Sequence, residues 1–240
     1  MSPKDPFIFK QHSKLHPRRL IFTAWARLAE SAAKRRFASF KIPELAPGEV
    51  TPAGSAYDEG STAVTSSQMD VLVHGLKCTE DVPGSAVEIG AYRGVTTFIL
   101  GSRTQRDYVA VDPYIGYGGA ESDCQMMKQR VSRLKNVRHL RMTSGEAARR
   151  GHVERISFVF VDAVHDYVNA RFDGCTWGSK LSLGGLIAFH DTDSIGFAGV
   201  QRAVWEMLNN KANDWSLFAH VNGIVVLKRE RANVDAHAVP

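Results

Sequence analysis

Cysteine is scarce in this sequence. Cys78, Cys124 and Cys175 are three cysteines among 240 residues, and no two of them form a C-x-x-C pair. An odd number of widely spaced cysteines argues against a disulfide framework and against cysteine-bound zinc. We therefore expect reduced thiols and a cytoplasmic protein.

Long apolar runs are also missing. No stretch approaches the roughly 20 apolar residues of a membrane-spanning helix, and the N-terminus has neither the apolar core nor the cleavage site of a signal peptide. No internal repeat of useful length is present. The chain is 44% hydrophobic, which is enough for the core of one α/β domain with an appendage. These features predict a soluble protein without an integral membrane segment.

Positive charge is concentrated at the N-terminus. Residues 1–45 contain ten Lys or Arg against three Asp or Glu, whereas the whole chain has a net charge of +5. Ile21, Trp25 and Leu28 recur at helical spacing among these cations. We interpret residues 1–65 as a basic N-terminal helical arm with a linker or lid. We expect it to pack on its own domain or on a second copy, as a homodimer, although an anionic membrane or nucleic acid is an alternative partner.

The most informative stretch is residues 86–97. An apolar run ends at Gly90, Gly94 follows four residues later, and a new apolar segment begins there, which predicts a buried strand, a tight turn and a helix. A dinucleotide fingerprint requires G-x-G-x-x-G, whereas this chain has E-x-G-x-x-x-G-x-T beginning at Glu88. An acidic residue beside the turn favours a ligand that carries an amine and a positive charge.

The next two strands are predicted over residues 107–112 and 137–143. The first ends in Asp112, 22 positions after Gly90, where a carboxylate can accept two hydrogen bonds from a ribose diol. Ser144 follows the second strand. Its hydroxyl is either a donor to an adenine ring nitrogen or an N-cap for the next helix.

Two further strands end in carboxylates. Residues 156–162 end in Asp162, and residues 186–191 end in Asp191, preceded by His190. With the expected strand order 3-2-1-4-5 these strands are neighbours, about 4.8 Å apart. Two adjacent carboxylates need a shared proton or a divalent cation, and an oxygen-rich site favours Mg²⁺ or Ca²⁺ over zinc. His190 is either a further ligand or a buried, hydrogen-bonded histidine.

His165 follows Asp162 by three residues. From the loop after the strand it could accept a proton from a substrate hydroxyl. Alternatively, it orients Asp162 or Asp191.

The rest of the chain completes an α/β pattern. Asn222-Gly223 separates two β segments, residues 215–221 and 224–228, which predicts a hairpin. Helices are predicted over residues 66–78, 94–103, 122–135, 166–181 and 198–210. We divide the chain into the arm, a domain over residues 66–230, and a frayed tail over residues 231–240.

The residue 86–97 pattern resembles motif I of the class I S-adenosylmethionine-dependent methyltransferases. The segments V-D-A-x-H-D-Y, from Val161, and L-x-x-G-G-x-I-A-F-H-D, from Leu181, resemble the small metal-dependent sugar O-methyltransferases of the macrocin, mycinamicin and cephalosporin-hydroxylase-like group. The resemblance covers residues 66–228. Those relatives usually have D-G-x-H after the fourth strand, whereas this chain has Ala163 at the glycine position.

The resemblance implies a Rossmann-like sandwich with a mostly parallel seven-stranded sheet and a C-terminal antiparallel hairpin. It implies Mg²⁺-assisted methyl transfer to a hydroxyl of a sugar or saccharide-containing acceptor. The implied site residues are, for catalysis, His165 and Asp191; for the metal, Asp162, His190 and Asp191; and for S-adenosylmethionine, Glu88, Gly90, Tyr92, Gly94, Thr96, Asp112, Ser144 and Asp162.

Two other functions remain open on the sequence. The first is a nicotinamide-dependent oxidoreductase, which the absent third glycine and the terminal hairpin disfavour. The second is a noncatalytic module that binds RNA or a membrane through the basic arm. Such a module has no need of Asp162, His165 and Asp191 at neighbouring strand ends.

Overall fold

A mixed β-sheet with helices on both faces organises the chain. The computed structural model describes residues 3–48, 50, 59–116, 119–212 and 214–231. Residues 49 and 51–58 of the predicted linker, and the predicted tail from residue 232 onward, lie outside the described residues. Within the described part, no helix combines the length and the apolar character needed to cross a membrane.

The sheet has seven strands in the order β3-β2-β1-β4-β5-β7-β6. The first five are parallel, and β7 runs antiparallel to both β5 and β6. The predicted mostly parallel sheet with a C-terminal antiparallel hairpin is therefore confirmed. The strands are β1 Ser85–Ile89, β2 Tyr108–Val111, β3 Val137–Leu140, β4 Ile156–Val161, β5 Leu181–Phe189, β6 Trp215–Val221 and β7 Ile224–Arg229.

Eight α-helices are described. They are α1 Pro6–Lys10, α2 Pro17–Arg35, α3 Ser66–Cys78, α4 Val95–Gly101, α5 Glu121–Val131, α6 Ser144–Arg149, α7 Tyr167–Gly178 and α8 Ala198–Leu208. The sequence did not predict α1, and it extended α7 through residue 181, where β5 already begins. The pairing of β4 with β5 shifts register between Ile156 and Phe158, and this irregularity lets β5 start before the Gly184-Gly185 pair.

The two faces of the sheet form separate apolar layers. Val87 and Val159 point to the side covered by α7 and α8, together with the buried Trp177. Phe158 and Phe160 point to the other side, against Leu72 of α3. A parallel sheet covered on both faces has near-continuous apolar strands, which explains why its strands could be recognised as apolar runs.

The N-terminal arm packs on the domain. Helix α2 lies against α7 and α8, with Ala33 fully buried and Phe22 and Ala29 against the core. Leu45 forms two backbone hydrogen bonds with His220 of β6. The outer face of α2 exposes Ile21, Trp25 and Leu28. A homodimer stays a prediction.

Candidate active site

A tight turn after β1 forms the floor of the site. Gly90 has φ of +100°, and a Cβ there would overlap the backbone carbonyl oxygen of Asp162. Only glycine allows β1 and β4 to approach so closely at this edge. Gly94, with φ of +73°, is the N-cap of α4, and a Cβ there would lie 2.8 Å from Cγ of Met127. Tyr92, between the two glycines, has a positive φ of 45°.

Asp112 is held at the carboxyl end of β2. Its Oδ2 accepts a hydrogen bond from the backbone N–H of Tyr92 at 3.0 Å, and its Oδ1 accepts one from Tyr114 at 2.9 Å. Burial raises the pKa of Asp112, while these two hydrogen bonds oppose the rise. Each carboxylate oxygen keeps a lone pair, so a diol could still donate to it.

Glu88 is buried within β1. Its Oε2 accepts hydrogen bonds from the hydroxyl of Thr97 at 2.6 Å and from the hydroxyl of Tyr108 at 3.2 Å. Burial raises the pKa of Glu88 to about 8, partly offset by these hydrogen bonds. The carboxyl group is therefore mostly protonated at neutral pH, and its O–H becomes a donor that can face a ligand.

Ser144 is tied to helix α7. Its hydroxyl donates to Asp173 and accepts from the indole N–H of Trp177 at 2.7 Å. The hydroxyl hydrogen is thus already used within the protein, and the N-cap of α6 is Thr143, whose side chain accepts from the backbone N–H of Glu146. The N-cap role that the sequence offered for Ser144 is therefore wrong, whereas its role as a donor to adenine stays a prediction.

A cavity of about 380 Å³ opens at this edge of the sheet. That volume lies within the range of small-molecule sites. Asp162 and His165 line it, whereas Gly94 does not. The predicted cofactor residues that line the cavity are Glu88, Gly90, Tyr92, Thr96, Asp112, Ser144 and Asp162.

Several lining residues were not expected from sequence. Phe7 of α1 reaches the cavity from the arm, and Asn169, Phe172 and Asp173 reach it from α7. Burial raises the pKa of Asp173 to about 7, against the lowering effect of the Ser144 hydroxyl. The i, i+3, i+4 spacing of the α7 residues could have predicted that they line the site together, because residues at that spacing share one helix face.

Four side chains meet beside the cavity. Nε2 of His165 lies 3.0 Å from Oδ1 of Asp162 and 3.2 Å from Oδ2 of Asp191. Nδ1 of His190 lies 3.3 Å and 3.4 Å from the same two oxygens. We call these four residues the His–Asp cluster; their ligand atoms all lie within 4.8 Å of one another.

The backbone at Asp191 is unusual. Its φ is +59°, a left-handed conformation that non-glycine residues seldom adopt. This turn follows the last residue of β5 and directs the Asp191 carboxylate back towards Asp162. Such backbone strain is typical of functional sites.

Gln68 fixes the orientation of His190. Its Oε1 accepts a hydrogen bond from the backbone N–H of Thr65 at 2.8 Å, and its Nε2 donates to the carbonyl of Asn222 at 2.5 Å. Oε1 lies 3.2 Å from Nε2 of His190, so this ring nitrogen must be the donor. No hydrogen bond from any described residue satisfies the buried Nδ1 of His190.

The carboxylates and imidazoles shift one another's pKa. Burial alone would raise the pKa of Asp162, but His165 and His190 outweigh it and lower that pKa. Burial alone would lower the pKa of His165, but Asp162 and Asp191 raise it. The same carboxylates raise the pKa of His190 against its burial. The cluster can therefore hold either protons or a cation between its carboxylates.

The donor set of the cluster fits a divalent cation. Two carboxylates supply two negative charges, and the orphaned Nδ1 of His190 faces both of them. The sequence predicted Asp162, His190 and Asp191 as metal ligands. It predicted His165 as a base or an orienting residue, outside this set of ligands. In the structure all four are adjacent.

Comparisons with known proteins agree with the architecture. Residues 87–192 match a family model described as a methyltransferase domain. No curated protein matches the sequence. The solved O-methyltransferase NovP is similar in structure, with a TM-score of 0.57 and 15% identity over 86% of this chain and 100% of that one.

Two other solved structures are similar. The O-methyltransferase from Bacillus cereus, in complex with SAH, has a TM-score of 0.55 and 13% identity over 85% of this chain and 90% of that one. TomG from Streptomyces achromogenes, an O-methyltransferase involved in tomaymycin synthesis and in complex with SAM, has a TM-score of 0.53 and 15% identity over the same shares. Identities this low show a shared fold.

The sheet order and the glycine turn agree with the fold of the class I S-adenosylmethionine-dependent methyltransferases that the sequence resembles, and residues 87–192 match a methyltransferase domain.

Proposed function

We propose that this protein is a methyltransferase, which transfers a methyl group to a hydroxyl oxygen of a small acceptor with the help of a divalent cation. The observation that carries the proposal is that Asp162 belongs both to the wall of the cavity and to the His–Asp cluster. Three solved structures with the same fold are O-methyltransferases by name.

The residues that line the cavity form two groups, each of which would contact one end of S-adenosylmethionine. Asp112 offers lone pairs on both carboxylate oxygens to the ribose hydroxyls. Gly90, Tyr92 and Thr96 line the part of the cavity next to the turn, beside Glu88, where the amino acid portion would lie. Ser144, Asn169 and Phe172 line the opposite wall, where the adenine would lie.

The cluster residues act on the acceptor. A divalent cation held by Asp162, His190 and Asp191 would lower the pKa of a hydroxyl that it binds. His165 removes the hydroxyl proton, and the carboxylates of Asp162 and Asp191, which lie 3.0 Å and 3.2 Å from its Nε2, stabilise the imidazolium that results. The cluster also holds the hydroxyl oxygen close to the cavity, since methyl transfer needs reacting atoms about 3–3.5 Å apart and aligned.

The acceptor class follows from the sequence resemblance. A sugar or saccharide-containing acceptor carries vicinal hydroxyls, and such a pair suits the two carboxylates and the cation between them. A cytoplasmic location and the absence of a nucleic-acid partner stay predictions.

The test uses purified protein and a panel of sugars and catechols with S-adenosylmethionine. We expect turnover that EDTA abolishes and a divalent cation restores. Asp191→Asn should abolish turnover while the affinity for S-adenosylhomocysteine, measured by calorimetry, stays within about threefold, because Asp191 lies outside the cofactor cavity. Turnover that survives both EDTA and Asp191→Asn contradicts the cation's role.

His165 needs its own variant. His165→Gln should lower kcat by about 10²–10⁴-fold, with unchanged affinity for S-adenosylhomocysteine, because general base catalysis contributes that much. A wild-type kcat would remove His165 as the base. Calorimetric binding of NAD in place of S-adenosylhomocysteine would contradict the proposed function as a whole.

A further inference from the structure

The His–Asp cluster differs from an oxygen-only cation site in one respect. An imidazole, His190, supplies a donor atom between the two carboxylates, where a carboxylate would complete a site for Mg²⁺. Mg²⁺ prefers oxygen ligands and octahedral geometry, whereas imidazole suits first-row transition metals and zinc.

The orientation of His190 is imposed from outside the cluster. Gln68 belongs to the capping box of α3, and its amide is fixed on both sides, by Thr65 and by Asn222. Its Oε1 can therefore only accept from Nε2 of His190, 3.2 Å away. Nδ1 therefore faces Asp162 and Asp191, at 3.3 Å and 3.4 Å from their carboxylate oxygens.

The orientation of His190 matters because the side chain is buried, so water cannot satisfy its Nδ1. The residue is 4% exposed, and among the described residues Nδ1 has no hydrogen-bond partner. Because Nε2 donates to Gln68, an Nδ1 that faces two carboxylates needs either a proton or a metal cation between it and them. Outer partners that orient a histidine ligand in this way are a regular part of metal sites.

We propose that the cation of this site is a transition-metal or zinc dication rather than Mg²⁺, and that Gln68 sets this preference by presenting Nδ1 of His190 as a ligand. The sequence alone favoured Mg²⁺ or Ca²⁺ over zinc, because two carboxylates form an oxygen-rich site. The inference rests on the divalent cation of the proposed function. It concerns metal binding, which is measured without acceptor or methyl donor, so its failure is distinguishable from failure of methyl transfer.

The first test compares metals on the wild-type protein after chelator treatment and dialysis. Calorimetry should show one equivalent of Co²⁺ or Zn²⁺ bound at least about 100-fold more tightly than Mg²⁺, in the Irving–Williams direction. Bound Co²⁺ should give a visible absorption band that reports its ligands. Mg²⁺ affinity within tenfold of Co²⁺ affinity would overturn the proposal.

The second test changes the donor. His190→Asp replaces the imidazole by a carboxylate, and the ratio of Co²⁺ to Mg²⁺ affinity should fall by at least about 30-fold. Gln68→Ala should weaken Co²⁺ binding by about 10–100-fold and leave Mg²⁺ binding nearly unchanged, because only the imidazole depends on Gln68. If His190 is merely a protonated partner of the carboxylates, both variants keep the wild-type ratio, and the proposal is wrong.

Controls separate metal choice from folding. His74→Gln removes another histidine of α3, which contacts Cys78 and stacks on Phe218 away from the cluster, and should keep wild-type Co²⁺ binding. Circular dichroism and binding of S-adenosylhomocysteine confirm that each variant is folded. If His190→Asp does not fold, His190→Gln tests the same donor, and the wild-type comparison of metals needs no variant.

Discussion

Glu30 of the N-terminal arm accepts a hydrogen bond from the backbone N–H of Tyr167, with 3.1 Å between Oε2 and the nitrogen. Its other oxygen accepts from the backbone N–H of Gly199 at 3.3 Å. One carboxylate thus caps the first turns of α7 and α8. A Cβ at residue 199 would overlap the Glu30 carboxylate, so glycine is required for this approach.

This contact connects the arm to the active site. Helix α7 begins directly after the loop that carries His165, and the ring of Phe197, just before α8, lies 5.1 Å from the His165 ring. We predict that Glu30→Ala lowers the free energy of unfolding by about 1–3 kcal/mol, because two helix N–H groups lose their acceptor. Urea denaturation measures the loss, and kcat should fall with it.

The matched control for Glu30 is Glu44→Ala, which removes an exposed acid of the same arm. We expect its unfolding free energy to stay within about 0.5 kcal/mol of wild type, as for most surface substitutions. Equal effects of the two substitutions would mean that the Glu30 caps contribute nothing.

A second prediction concerns the floor of the site. Gly90→Ala should prevent folding or destabilise the protein by several kcal/mol, because the methyl group would overlap the Asp162 carbonyl at a φ of +100°. Gly151→Ala is the control, since its φ of +68° is also positive but a Cβ there meets no described atom within 4 Å. It should cost only about 1–2 kcal/mol. Similar urea midpoints for the two variants would contradict the close approach.

A third prediction follows from the raised pKa of Glu88, about 8 against an ordinary 4.5. Between these two pH values the folded protein keeps a proton that the unfolded chain has lost. Stability from this group is therefore complete below pH 4.5 and declines as pH rises to 8, by up to about 1.4 kcal/mol per pH unit.

Glu88→Gln tests this pH dependence. The amide keeps an acceptor for Thr97 and Tyr108 but cannot ionise, so the stability of the variant relative to wild type should increase from pH 5 to pH 8 in urea titrations. The exposed Glu154→Gln should show no such trend. A constant difference between wild type and Glu88→Gln would show that Glu88 ionises normally.

A fourth prediction concerns the arm as a wall of the cavity. Asp5 caps α1 through the backbone N–H of Phe7 at 2.8 Å and forms an ion pair with Arg149 of α6, which holds the Phe7 ring at the cavity. Phe7→Ala should weaken the binding of S-adenosylhomocysteine by about 5–10-fold, because an aromatic wall is lost. Calorimetry measures this, and Leu15→Ala, at a residue that is 84% exposed, should change nothing. Unchanged affinity in Phe7→Ala would remove the arm from the cofactor site.

Most of the fold could be predicted from the sequence, because its strands are apolar runs that lie between residues typical of turns. Helix α3 was predicted with the bounds Ser66–Cys78 that the structure has, and the Asn222-Gly223 hairpin lies where the sequence placed it. The start of β5 could not be predicted from the sequence, since it depends on the irregular pairing of Ile156 with Leu181. Helix α1 was missed, because it has only five residues and depends on its contacts with the domain.

The sequence by itself determined that Asp112, Asp162 and Asp191 follow buried strands, because a run of apolar residues that ends in an acid fixes where the carboxylate emerges. Only the tertiary structure decided what these carboxylates face. Gln68 and His190 are 122 positions apart, and no local pattern encodes their contact or the direction in which Nδ1 points. Sequence periodicity describes neighbours along one element, whereas the donor atoms of this site come from separate elements that meet only when the sheet and α3 pack together.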